Sequence, residues 1–529
     1  MIQSQLEIPF RLKIPMSHFA RSTIIIAVFF GIDKVVGFVR SLIVFNQFGL
    51  TYELDVFNAA NNIPDLLSAL ISGGALGVAL IPVLSEYLEK RGRPAAWHLF
   101  ARIINLGFLV TACFAVLIAI FAPWLISNVI TPGFPLEQQT LAAELMRLDL
   151  AAILIFSISG LVMAGLQANQ HFLLPAMAPA LYNVGQIFGA TVLSPDTPYS
   201  LGPITLPAMG MGVHGLVFGV IIGALLHLGI QVPALIRYEF KWQPKIDLGS
   251  PGVRQVLRLL GPRVLTMGFI QMFFIVRDNL ASGMGEGSVT ALNLGWFIMQ
   301  VPETMLGTAI AIALLPTISE IFARGEFDQF RDTINGAVRA ILSLTIPSAV
   351  LLAIGLPPLV KTAFPGYTPA EVDLVVIATR AYLIGLAGHG LLEIGARSFY
   401  AQKNAVTPLI AAALNATAYV IFALLLARAF GIGGVAFANS LAFTAEALVL
   451  LWLLNRTYPG VLRVRRTLVR VLLGAGSGAA LLFAIMRFAP IRADVAAVGG
   501  MLLGLGLAGV FILPELKLLL RLGEKNSAG

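Results

Sequence analysis

Charge is what this 529-residue sequence has least of: Asp, Glu, Lys and Arg together make up 12% of it, where soluble globular chains carry about 25%. A deficit that runs the whole length excludes an ordinary soluble fold. Cysteine is nearly missing. Cys113 is the only one, which excludes an intramolecular disulfide and a multi-cysteine metal site; set in the apolar run 111–115, it reads as a small core residue. No glycine-rich phosphate loop ending in Lys-Ser/Thr is present, so the chain carries no ATPase motor. Histidine/cysteine metal spacing and a nucleophile elbow are also missing. The segments between apolar runs are too short for a soluble domain. Residues 1–22 carry Arg11, Lys13 and Arg21 with no small-residue cleavage site, so they read as a cytoplasmic lead-in rather than a signal peptide.

What the chain has is hydrophobic length: 58% of its residues are apolar. Lipid offers no partner to backbone N–H and C=O, so spanning segments must be helices or closed barrels. The runs here are about 20 residues long without strict alternation, which selects helices. The fold class expected is an all-α polytopic membrane protein with about 14 transmembrane helices. Counting Lys and Arg between spans, with both termini placed in the cytoplasm, puts 25 on the inner side and three (Arg428, Arg487, Arg492) on the outer. That bias satisfies the positive-inside rule and accounts for the net charge of +8 without nucleic acid.

The chain repeats itself. ALIPVLSE (79–86) returns as ALLPTISE (313–320), and GVHGLVFG (212–219) as GIGGVAFA (431–438). Val39-Arg40 stands before Pro64 as Val276-Arg277 stands before Pro302. The matches keep their order, so two pseudo-symmetric six-helix lobes are expected, in parallel orientation, with two further C-terminal helices. The domains are a lead-in (1–22), an N-lobe (23–236), a linker (237–263), a C-lobe (264–456), a basic linker (457–470) and helices 13–14 with the tail (471–529). Parallel repeats place a substrate path between lobes. The first linker reads either as an amphipathic stretch on the membrane surface or as a solvated loop. The second, with four arginines, meets anionic lipid headgroups.

Charges at membrane depth cost roughly 2.5–3.5 kcal/mol when they face lipid, so they mark cavities or partners. Lys34, Gly37 and Arg40 stand at i, i+3, i+6 on helix 1. The two cations lie about 9 Å apart along the axis with an open backbone between them, which suits a pyrophosphate. The plain alternative pairs Lys34 with Asp33 and lets Arg40 snorkel. Arg277-Asp278 occupies the matching place in helix 7, as a local ion pair or as part of a shared cavity. Asp55 reads either as a gate or as a helix N-terminal carboxylate. Ser72-Gly73-Gly74-Ala75 permits close helix packing. Glu303, Glu393 with Arg397, His227, His389 and Glu446 are lone polar residues in apolar spans.

The stretch from Gly37-Phe38-Val39-Arg40 through Asp55-Val56-Phe57, Asn62-Ile63-Pro64 and Gly74-Ala75 to Ile81–Tyr87 resembles the MurJ (MviN) lipid II flippases. FLLPAMAPALYN (172–183) and LGTAIAIALLPTIS (306–319) are similar to that family too, and the resemblance covers the whole chain. It implies the multidrug/oligosaccharidyl-lipid/polysaccharide exporter fold in a bacterial cytoplasmic membrane. It implies flipping of undecaprenyl-pyrophosphate-linked peptidoglycan precursor to the periplasmic leaflet by alternating access, with helices 13 and 14 holding the polyprenyl tail. Lys34 and Arg40 then belong to a cationic cavity, Asp55 matches the helix-2 aspartate, and Thr290 stands at a serine position. Ser68 and Phe297 stand where the family has arginines, and Arg277 is the expected replacement. Asp33 and Gly37 join the gating or substrate contacts. Some members bind sodium in the second lobe; Asp278, Asn415 and Asn439 would supply oxygens here, although Tyr419 falls at a carboxylate position. No cofactor is implied, and Na+ or the membrane potential is the coupling source. The partners implied are lipid II or a related polyprenyl-linked glycan, and anionic membrane lipids. Rival readings are an exporter of another polyprenyl-linked oligosaccharide, a cation-coupled drug exporter of the same superfold, and a non-transporting scaffold; headgroup and oligomeric state stay open.

Overall fold

The computed structural model describes residues 18–71, 75–201 and 204–524. The start of the basic lead-in (1–17), the step Ser72-Gly73-Gly74 and Lys525 lie outside the described residues. The helices in chain order are α1 (His18–Phe48), α2 (Tyr52–Ala60), α3 (Asn62–Ile71), α4 (Ala75–Leu125), α5 (Leu136–Ala168), α6 (Leu173–Phe188), α7 (Val213–Gly229), α8 (Val232–Arg237), α9 (Pro251–Ala281), α10 (Ser288–Pro302), α11 (Ala309–Ala323), α12 (Phe327–Ala363), α13 (Pro369–Ile384), α14 (Leu386–Ala401), α15 (Val406–Thr457), α16 (Arg465–Phe488) and α17 (Ala493–Glu524). Three π-helical turns extend or join them, at Ile126–Ile130, Gly189–Leu193 and Glu303–Thr308. The one departure from helix and loop among the described residues is a ribbon of two three-residue strands, Tyr199–Leu201 against Ile204–Leu206.

Nine stretches among the described residues are long and apolar enough to cross a bilayer. Two of them, Ala79–Ile130 and Val406–Thr457, are 52 residues long. That is about 78 Å of helix, more than twice the roughly 30 Å hydrocarbon core. Each breaks at one glycine, Gly92 (φ 77°) and Gly431 (φ 54°), a backbone that side chains with a Cβ resist. Each is therefore two passes, the first of them beginning with α3. With α1, α6 and α9 the fourteen expected passes are accounted for. Phe114, Ile120, Phe121, Leu472 and Phe483 are exposed on them, as lipid-facing side chains must be.

The repeat is visible in the atoms. Gly212, which starts α7, has φ 52° and ψ −136°; Gly431, its partner in the repeated motif, has φ 54° and ψ −136°. A second correspondence was not read from the sequence. Pro123 and Pro357 have no N–H, so the carbonyls of Ala119 and Ala353, four residues earlier, lose their helical donors. Arg147 Nε donates to Ala119 O at 2.8 Å, and Arg380 Nε donates to Ala353 O at 2.8 Å. The same proline defect and the same arginine remedy occur once in each half.

Two expectations change. Cys113 is exposed on α4 rather than buried, because the helix turns that face outward. The linker is shorter than 237–263: residues 239–250 form an irregular strap, and α9 begins at Pro251, so that Arg254 and Arg258 belong to its first turns.

By packing, the chain forms two compact units. One comprises Met1–Ser41, Ile71–Ala112 and Ala151–Leu259; the other comprises Leu42–Leu70, Cys113–Leu150 and Leu260–Gly529. In the first, α6 meets α7 along glycines: a methyl at Gly189 would lie 2.6 Å from Gly219 Cα, so only glycine permits this approach. In the second, α16 and α17 pack on each other through Gly478 and Gly504 and dock on α12. Glu515 pins them there. It is 1% exposed and accepts hydrogen bonds from Arg339 (3.0 Å), Thr467 (3.0 Å) and Arg470 (3.5 Å).

Candidate functional site

Four of the residues singled out in the first helix lie in the first unit, and three of them meet α6. Asp33, Gly37 and Arg40, at i, i+4 and i+7, share a face. Asp33 Oδ1 accepts from Asn183 Nδ2 at 2.9 Å, and Arg40 Nη1 donates to Gln186 Oε1 at 3.2 Å. Arg40 Nη2 donates to Ser41 Oγ at 3.1 Å, and Ser41 in turn donates to Gly37 O at 3.0 Å. Lys34 is exposed on the same helix. Gly37 faces the Asn183 amide, where an added methyl would sit at an ordinary 3.5 Å, so its small size is tolerated space rather than a steric necessity. Asn183 and Gln186, three residues apart in an apolar span, were missed in the sequence. Their spacing was the available signal, because two amides on one face of a spanning helix need partners.

The remaining candidates lie in the second unit, in two groups. The first ties helix ends from the two halves of the sequence together. Asp55, 1% exposed on α2, accepts from the backbone N–H of Gly287 at 2.7 Å and of Thr290 at 2.6 Å. It lies in the first turn of α2, as one sequence reading had it, and it also serves the N-terminus of α10, more than 230 residues away. The α10 N-cap lacks a side-chain cap of its own because Gly287 holds it in the left-handed region (φ 79°), pressed against Leu50. Asp55 supplies the missing acceptor and places negative charge on the positive helix end. Around it, Tyr52 N–H donates to Glu286 (3.0 Å), Asn58 to Thr290 Oγ1 (3.3 Å), and Asn62 to Asp278 (2.7 Å). The end of α1 joins the same layer: Tyr367 donates to Phe45 O at 3.1 Å, Asn46 to Ala363 O at 3.0 Å, and Phe45 packs on Phe297 with ring centres 6.4 Å apart. Asn279 and Ser282 hold the turn after α4 through Val129 O and Gly133 N. Ser68, half-buried on α3, also belongs to this unit.

The second group surrounds a cavity of about 210 Å³ among α9, α10, α13, α14 and α15, lined by Arg277, Trp296, Glu303, Tyr382, His389 and Asn439, among others. Arg277 is 5% exposed. Its Nε donates to Asp278 Oδ1 at 2.7 Å and its Nη2 to Asn293 Oδ1 at 2.8 Å, its guanidinium lies 5.1 Å from the Phe274 ring centre, and its buried Nη1 has no protein partner. An orphan donor beside a cavity asks for water or an anion. The volume accommodates roughly seven waters and falls below the roughly 300–1,000 Å³ of pockets that hold drug-sized ligands. In this conformation the cavity is a small, largely apolar chamber with a few polar groups in its wall.

Of the three residues named for ion coupling, two have their oxygens engaged, while the buried Oδ1 of Asn415 has no protein partner and only its Nδ2 is bonded. Asp278 is held by Arg277 and Asn62, Asn439 Oδ1 by His389 Nε2 at 3.2 Å, and Asn415 donates to Glu446 at 2.6 Å. Among the described residues no group of three or more His, Cys, Asp or Glu is gathered as a metal cluster. Asn293, Trp296 and Tyr382 were not read as site residues. Trp296 packs edge-on to both Tyr382 and His389, at 5.4 and 5.5 Å; isolated aromatics in a helical run give no sign of which face they line.

Comparison with known proteins adds the following. The family model for the lipid II flippase MurJ matches residues 44–509. A curated relative from Burkholderia cenocepacia, the lipid II flippase MurJ, is 28% identical over 397 residues, covering 73% of this chain and 74% of its own. A solved structure of a lipid II flippase MurJ in an inward closed conformation superposes with a TM-score of 0.78 at 23% identity, covering 93% of this chain and 99% of its own. An inward-facing multidrug resistance transporter of the MATE family gives 0.68 at 15% identity over 81% of this chain and 96% of its own. At such identities the two structures speak for the fold alone.

Proposed function

The chain belongs to the lipid II flippase MurJ family, and from that premise we propose that it carries lipid II across the bilayer by breaking and remaking the hydrogen-bonded layer centred on Asp55. It is a multi-pass inner-membrane transporter and not an enzyme. The observation that carries the mechanism is the Asp55 carboxylate on the N-terminus of α10. An alternating-access carrier needs one end closed by contacts strong enough to hold and weak enough to break. Here the two Asp55 bonds and their three neighbours are that set. Charge-assisted bonds contribute about 1.5–3 kcal/mol each and neutral ones about 0.5–1.5, so opening the layer requires several kcal/mol that bound substrate and the driving gradient must offset.

The Lys/Arg distribution supports cytoplasmic termini, which puts the Asp55 layer on the periplasmic side and leaves the cytoplasmic side as the loading side. The lobes at 23–236 and 264–456 are the moving bodies, and the linkers at 237–263 and 457–470 stay on the cytoplasmic face. Lys34 and Arg40 are the cations offered to the pyrophosphate. The Arg40 guanidinium, oriented by Gln186 and Ser41, is set for a forked contact with phosphate oxygens. The engagement of the Asp278 and Asn439 oxygens by other side chains favours the membrane potential over Na+ as the coupling source. Flipping then persists when Na+ is replaced by K+ and stops when the potential is collapsed; a Na+ requirement at constant potential would reverse that assignment.

The test of function is replacement. In cells depleted of their own MurJ, this chain restores lipid II at the outer leaflet, and Lys34→Ala with Arg40→Ala abolishes the restoration. Rescue that survives loss of both cations removes them from the phosphate site. The drug-exporter reading keeps only the shared fold in its favour, since helix 1 is basic and presents no unpaired acid for an organic cation.

A further inference from the structure

A second cavity lies in the first unit, lined by none of the side chains given a part in transport. It measures about 670 Å³ and is walled by the turn around Gly92 on one side and the strap of residues 243–251 on the other. Arg91, which also lies over the Tyr87 ring, Arg102 and Lys245 line it, with Asp247 as the one acid and His98 engaged with Gln243 at 2.9 Å. Asp247 is largely spoken for. It bonds Arg102 at 3.3 Å and accepts from the backbone of Gly249 and Ser250 at 3.0 and 3.1 Å. Of the nearby charges outside the lining, Lys90 pairs with Glu86 at 2.9 Å and Arg93 stacks over Tyr238 at 5.3 Å. The cavity is thus cationic in excess.

The strap is built rather than loose. Asn105 Nδ2 donates to the carbonyls of Gln243 and Lys245 at 2.6 and 3.0 Å, and Trp97 Nε1 to Tyr238 O at 2.9 Å. Trp97, Phe100 and Phe240 pack mutually with ring centres 5.2–5.4 Å apart. This fixed strap nevertheless holds large apolar side chains outward: Trp242 is 61% exposed, Ile246 51% and Leu248 56%. Both walls join the ends of membrane-crossing helices, so the strap lies at the level where a bilayer meets water. Tryptophan with aliphatic neighbours beside lysine and arginine is the composition of a headgroup-level contact.

We infer that this cavity binds the phosphate headgroup of an anionic glycerophospholipid of the adjoining leaflet, with Arg91, Arg102 and Lys245 on the phosphate and Trp242, Ile246 and Leu248 against the upper acyl chain. The inference rests on the membrane-spanning fold alone and would stand if the transported substrate were different. It explains why a segment linking two halves of the chain is pinned in an extended form with its apolar residues outside.

The experiment is native mass spectrometry of the full chain in detergent, titrated with phosphatidylglycerol or phosphatidylcholine. Phosphatidylglycerol adducts form at a saturable site and phosphatidylcholine adducts do not. Arg91→Gln with Lys245→Gln weakens the phosphatidylglycerol adduct roughly thirty-fold, at about one tenfold-or-less step per cation lost, while Arg91→Lys with Lys245→Arg retains it. A readout that leaves the cations in place is quenching of the Trp242 emission, taken as the difference between the natural chain and Trp242→Phe. Brominated phosphatidylglycerol quenches it more than brominated phosphatidylcholine. Equal adducts with both lipids, an unchanged adduct in the double glutamine variant, equal quenching, or displacement of the lipid by millimolar inorganic phosphate would each overturn the assignment, the last by making it a site for soluble phosphate.

Discussion

At the scale of single residues, two carboxylates do different work with the same chemistry. Asp55 stabilises a helix end that has no cap of its own, so Asp55→Ala removes about 1–2 kcal/mol from the closed layer. With Cys113→Ser as background, Ala59→Cys reports the change, because Ala59 is fully buried beneath that layer. An impermeant maleimide is expected to label it several-fold faster in Asp55→Ala, and equal labelling would show that the layer does not depend on the carboxylate. Asp278 holds a buried guanidinium instead. Removing it leaves Arg277 charged and uncompensated, which costs about 3–5 kcal/mol. Thermal unfolding in detergent should show Asp278→Leu strongly destabilised and Arg277→Met with Asp278→Leu largely recovered. A double variant as unstable as the single one would mean that the charge was not the cause. Legibility stops at this scale: Asp55 was recognisable as a helix-end carboxylate, but nothing local names a helix on the far side of the sequence as its partner.

Among elements, the proline-arginine pairs are the sharpest case. Pro123 and Pro357 each strip a donor from a carbonyl inside an apolar helix, where no water replaces it. Arg147 and Arg380 restore it from the following helix. Arg147→Ala should therefore cost about 0.5–1.5 kcal/mol for the lost hydrogen bond, and more where the freed carbonyl faces lipid. Pro123→Ala returns a backbone N–H to the Ala119 carbonyl, so the loss is expected to shrink in Pro123→Ala with Arg147→Ala, and the same holds for Pro357 and Arg380. Additive losses in that cycle, measured by thermal unfolding, would refute the coupling. Neither the prolines nor the arginines of this device were singled out from the sequence. Their relation emerges only when adjacent helices are seen side by side, because hydropathy sets where a helix runs and not how it is rotated. The strap at residues 239–250 illustrates the same limit. Its mixture of Lys241, Trp242, Pro244 and Lys245 marked a membrane-surface segment, while its extended form depends on Asn105 hydrogen bonds from another helix.

For the whole molecule, the legible part was the architecture. The many-pass helical architecture and the duplication follow from composition and spacing, since lipid permits few other solutions. The grouping of polar side chains was legible only in part. Gly37 and Arg40 were read on one ridge with Lys34, whereas it is Asp33 that shares their contacts to α6; Arg277 with Asp278 was readable as a sequential pair, but the amides that complete these groups come from residues 183, 186, 62 and 293. The account's central claim is that the Asp55 layer must open in every transport cycle. Asn58 and Thr290 touch at 3.3 Å across it, so Asn58→Cys with Thr290→Cys, in the Cys113→Ser chain, can lock it with one disulfide. In cells living on this protein alone, lipid II exposure at the outer leaflet should cease on oxidation and return with reductant. Continued exposure while the disulfide is intact would contradict the account.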